Sequence, residues 1–76
     1  MEHYILLLEN GQFATFEQVS NDEVEVIPVP HKYAHPFPTL EEAREDAKGI
    51  NKGKVRGFTF YTESKVVSIM KVYGIE

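Results

Sequence analysis

The dipeptide Asn10-Gly11, set between the apolar runs YILLLE and QFATFEQV, constrains this chain more than any other feature. Asn-Gly is a strong hairpin signal, because a two-residue type I′ turn needs positive φ at both central positions and these residues tolerate it best. Such a turn sets the register: Leu8 faces Phe13, Leu7 faces Ala14, Leu6 faces Thr15 and Ile5 faces Phe16. Strand alternation then places Ile5, Leu7, Ala14 and Phe16 on one side, and Tyr4, Leu6, Leu8 and Phe13 on the other. Both sides are apolar. One helix covers only one side of a small sheet, so this register predicts a second apolar face. Leu6, Leu8 and Phe13 are its candidates for self-association, and a loop folded over them is the alternative.

The chain has 76 residues, which sets an expectation of one domain over 1–76. A core of this size yields only about 3–5 kcal/mol unless it is stapled. The sequence has no cysteine, which excludes disulfides, thiolate metal sites and cysteine nucleophiles. Self-association or partner binding is the remaining reinforcement, and a homodimer is the expectation. The run Ile5–Leu8 is too short for a signal-peptide core, and no stretch approaches the ~20 apolar residues of a membrane span. The expected setting is therefore cytoplasmic, with no membrane partner.

Beyond the hairpin, EVEVIPV reads as a short strand at a sheet edge, because Pro28 cannot donate to a ladder. A proline-rich connection follows, with Tyr33, His35 and Phe37 held among prolines. Thr39 and Glu42 form a capping box that opens a helix. Leu40, Ala43, Ala47 and Ile50 make its apolar stripe, and Gly49 or Gly53 ends it. The tail reads as a second hairpin, KVRGFTFYT and KVVSIMKVYG, turning near Glu63-Ser64. Phe58 and Phe60 would then lie opposite Ile69 and Val67. The expected fold is α+β: a small, mostly antiparallel sheet in the order β-β-β-α-β-β, with one helix on one face.

The stretch RGFTFYT resembles the start of the central RNA-binding strand of RNA-recognition motifs, in which aromatics of adjacent strands stack bases. The resemblance ends at Glu63, where that pattern needs an aromatic. The first strand also turns into another strand where the family has a helix. Phe58 and Phe60 are better read as core residues. Charge keeps a nucleic-acid alternative open. The net charge is −4, but residues 47–76 hold six basic and two acidic residues. Lys48, Lys52, Lys54 and Arg56 are the candidate phosphate contacts for RNA or another single strand.

Catalytic chemistry finds little support. GINKGK lacks the hydroxyl residue and the strand-to-helix context of a phosphate loop. His31 and His35 are four apart, but Pro30 and Pro36 rule out the helix that would align them on a metal, and His3 is distant in sequence. Glu41, Glu42, Glu45 and Asp46 crowd a helix start, where acids are favoured for structural reasons. The sequence reads as a non-catalytic protein-binding module with no cofactor, of the size and charge of small regulators and inhibitors, including mobile-element products that block host machinery. Tyr33, His35, Phe37, Glu41 and Glu45 are its candidate partner-binding residues.

Overall fold

The computed structural model describes residues 2–74. The strands are β1 (Glu2–Leu8), β2 (Phe13–Gln18), β3 (Glu23–Val29), β4 (Lys54–Val55), β5 (Phe58–Tyr61) and β6 (Val66–Tyr73). Among the described residues a single 3-10 turn, His31–Tyr33, and a single α-helix, α1 (Leu40–Lys52), separate β3 from β4. The six strands form one sheet in the order β4-β5-β3-β2-β1-β6.

The expected order of elements holds through α1, but three strands follow it where two were expected, and the sheet is not mostly antiparallel: it is a curled, mixed half-barrel. β5 runs parallel to β3, with Val24 beside Phe60. Parallel neighbours need a long crossover, and the segment carrying α1 supplies it. The expected tail hairpin does not form. Arg56 and Gly57 carry φ of 46° and 86° and turn the chain between β4 and β5, with Val55 paired to Phe58. The Arg-Gly of the RNA-like stretch is thus a hairpin corner. β6 leaves β5 altogether and pairs antiparallel with β1, where Leu6 meets Ile69 and Ile5 meets Met70.

The curl follows from the connection between β5 and β6. Three strands lie between them, a step of about 19 Å in a flat sheet at ~4.8 Å per strand. Tyr61 to Val66 spans at most about 18 Å even when fully extended, and this segment is bent at Glu63 and Ser64. The two ends of the sheet must therefore approach one another. α1 fills the space between them, packing on β1 and β6 at one end and on β4 and β5 at the other.

The first hairpin is also corrected, by one residue. Leu7 pairs with Phe13, and Leu8 N–H donates to Gln12 C=O at 2.8 Å. The loop is three residues, Glu9–Gly11, with positive φ only at Gly11 (89°). Asn10 N–H donates to Ser64 Oγ at 3.0 Å, across 54 positions of sequence. A one-residue slip turns every side chain of a strand over relative to its neighbour. Ala14 and Phe16 therefore join Leu6 and Leu8 on the inner face, beneath Ala43, Ala47 and Ile50 of the helix.

α1 is capped at both ends. Glu42 N–H donates to Thr39 Oγ1 at 3.1 Å, and Gly53 adopts the left-handed conformation (φ 92°). Gly49 has a different role, inside the helix. A Cβ there would collide with the side chain of Val55 and would lie 2.5 Å from Lys54 C=O. The absence of a side chain lets α1 rest against β4. Gly49→Ala is expected to destabilise by about 1–3 kcal/mol through overpacking, although alanine is the better helix former by about 1 kcal/mol. Urea denaturation measures the difference; an unchanged or raised midpoint would contradict this close approach.

Candidate functional site

The proline-aromatic segment is built into the sheet. β1 and β2 diverge beyond the Leu7–Phe13 pair, and residues 35–37 wedge between them. Phe37 exchanges two backbone hydrogen bonds with Tyr4, at 2.8 and 2.9 Å, and His35 N–H donates to Ala14 C=O at 3.0 Å. The Phe37 side chain is 4% exposed. Its ring meets Phe16 edge-on, and Phe16 also meets His35 and Phe60. Of the residues expected to bind a partner here, Phe37 is therefore core, Tyr33 is exposed on the 3-10 turn, and His35 lies between the two settings. Glu41 and Glu45 are exposed on α1. The structure does not gather these five on one surface.

Partial burial depresses the His35 pKa below its ordinary value, outweighing the opposing pull of Asp46. The folded state therefore binds a proton less readily than the unfolded chain. The associated stability is present above the ordinary histidine pKa of about 6.5 and is lost as the pH falls through and below it. The melting temperature is expected to fall more steeply between about pH 7.5 and 5.5 in the wild type than in His35→Gln. Parallel slopes would contradict it.

The residues proposed for self-association are also separated. Leu6 and Leu8 are 0% and 1% exposed beneath α1 and have no surface to offer a second copy. Phe13 belongs to the opposite, outer face, where His31 stacks edge-on against it at 5.3 Å. This correction follows from the one-residue slip of the hairpin.

The basic residues divide in the same way. Arg56 is held by Glu45 and Asp46, each at 2.8 Å, and is committed to that pairing. Lys52 rims an open cleft of about 600 Å³ floored by Val26, Ile50 and Phe60. Lys54 is exposed on β4. Lys48 lies on the other flank of α1, beside Arg44, and neither forms an ion pair among the described residues. Glu45 and Asp46 thus lie toward the β4–β5 turn, while Arg44 and Lys48 line the groove beside β6.

The most distinctive feature is the outer edge of β6. Tyr4 directs its backbone groups at Phe37, away from β6, so residues paired with it and its alternates direct theirs away from β1. Tyr4 pairs with Lys71, Leu6 with Ile69 and Glu2 with Tyr73. The N–H and C=O groups of Ile69, Lys71 and Tyr73 therefore point outward, and they have no backbone partner among the described residues. At the start of the strand the Asn51 carboxamide imitates a neighbouring strand. Its Nδ2 donates to Val66 C=O and its Oδ1 accepts from Val66 N–H, both at 2.8 Å. Beyond Val66 the edge is open.

β3 shows the contrast. β5 accompanies it only from Glu23 to Glu25, leaving Val26–Val29 without a second neighbour. Ala14 C=O points to His35, so its partner Pro28 faces the gap, where proline has no N–H to offer. The expectation that Pro28 places this strand at a sheet edge is corrected: β3 lies between β5 and β2, and Pro28 is accommodated because β5 accompanies only Glu23–Glu25. Asn51 and the β6 edge were missed because both depend on contacts distant in sequence. The one local signal was the uncharged run VVSIM.

Among the described residues no group of three or more potential ligands could hold a metal ion, and no helix is long and apolar enough to cross a membrane. No known family model, curated protein or solved structure matches this chain.

Asn51→Ala is expected to cost about 1 kcal/mol and to accelerate hydrogen exchange at the Val66 amide selectively. Unchanged exchange there would contradict the cap.

Proposed function

We propose that this chain is a non-catalytic protein-binding module that receives an extended segment of its partner along β6. The observation that carries the reading is the open edge from Ile69 to Tyr73. Soluble folds blunt such edges with prolines, bulges, charge or a covering element. Here Pro28 blunts β3 and Asn51 covers Val66, while the remainder of β6 keeps its donors and acceptors unpaired. Strand addition supplies main-chain hydrogen bonds for affinity and leaves the neighbouring groove to select side chains. A module of this kind acts by occupancy, as regulators and inhibitors do. Homodimerisation through Leu6, Leu8 and Phe13 is not part of this reading.

Lys71→Pro tests it, because it removes an outward N–H without removing a bond of the sheet. The variant is expected to melt within about 4 °C of the wild type, the effect of a sub-kcal/mol change in so small a domain. It is also expected to lose a partner that the wild type captures from lysate. Tyr73→Pro is the second such variant. Equal capture of the same partner by folded Lys71→Pro and Tyr73→Pro would overturn strand addition.

A further inference from the structure

We infer that the groove between α1 and β6 selects an extended acidic peptide, one whose apolar side chain reaches the groove floor while its carboxylates meet Arg44 and Lys48. This inference rests on the strand-addition reading and names its occupant. The groove has a volume of about 480 Å³, runs along Val66–Ile69 and meets the open edge at Ile69. Leu40 and Ala47 of the helix, with Val66 and Ile69 of β6, provide its apolar surfaces. Arg44 and Lys48, one helical turn apart, provide its only charges among the described residues.

That cationic rim is unexpected in a chain of net charge −4. Glu45 and Asp46 pair with Arg56 on the opposite flank, and no carboxylate among the described residues lines the groove. A strand added to β6 would direct alternate side chains toward α1, where apolar and anionic groups both find complements. A second copy of β6 fits poorly. Its only charged residue is Lys71, and edge-to-edge pairing would bring the cations of both copies together.

The test uses three eight-residue peptides of Val and Ile with Glu, Gln or Lys at the same positions, titrated by fluorescence anisotropy at low and high salt. The Glu peptide is expected to bind at least about tenfold more tightly than the Lys peptide, with the advantage shrinking as salt screens the rim. Its binding is expected to slow hydrogen exchange at Ile69, Lys71 and Tyr73. The double variant Arg44→Glu, Lys48→Glu is expected to reverse the order of preference. Equal binding of the Glu and Lys peptides, or binding of neither, would overturn the acidic selectivity. If Lys71→Pro nevertheless abolishes capture of a partner, strand addition itself stands. Exchange at these amides slowing with protein concentration alone would make a second copy the occupant and overturn the inference. Tight binding of the Glu peptide without slowed exchange would overturn strand addition.

Discussion

Four residues, Thr62–Lys65, connect β5, second in the sheet, to β6 at its far end, and the rest of the architecture depends on that short connection. A flat sheet would hold those strands too far apart. The sheet curls, its ends approach, and the helix occupies the space between them. The connector is itself secured. Ser64 is buried and accepts from Asn10 N–H, while Glu9 N–H donates to Lys65 C=O at 2.8 Å. These bonds tie the first hairpin loop to the last connection, and they account for the three-residue loop that Asn10-Gly11 adopts. Contacts between residues so distant in sequence are costly to form early, because loop-closure entropy precedes the gain from packing.

The curl leaves exposed strand edges, and the chain treats them unequally. β4 is two residues long and presents little edge. The unpaired half of β3 contains Pro28. The gap where β1 and β2 diverge is filled by residues 35–37, with Phe37 bonded to Tyr4. Asn51 covers the first residue of β6. What remains is a run of outward backbone groups beside a groove with cations on its rim.

Elements governed by neighbouring residues were legible in the sequence. Thr39 caps α1, Gly53 ends it, and Ala43, Ala47 and Ile50 face the core, as spacing and capping chemistry dictate. The order of elements through α1 was legible for the same reason. Strand partnership was not, because a short apolar strand matches several neighbours equally well. Phe58 and Phe60 fit a hairpin with Val67 and Ile69 on paper, but the crossover through α1 brings them beside β3. Arg56-Gly57 gave a local sign of a turn that the alternating aromatics after it obscured. For Phe37 the prolines around it allowed either a recognition loop or packing over the sheet; its side chain packs, and its backbone completes the sheet. Leu6 and Leu8 were assigned to the wrong face by a slip of one residue, which a bond from Asn10 to Ser64 decides. The candidate groove was illegible because it joins one flank of a helix to an edge strand placed by non-local pairing.

The central claim is that β5 lies parallel to β3 while β6 runs along the far side of β1. Nuclear Overhauser contacts on isotopically labelled protein test it most directly. The account predicts close Hα–Hα contacts between Tyr4 and Lys71 and between Leu6 and Ile69, together with backbone contacts between Val24 and Phe60. Cross-strand contacts between Phe60 and Val67, with none between β1 and β6, would restore the tail hairpin and contradict the curled sheet, the open edge and the groove beside it.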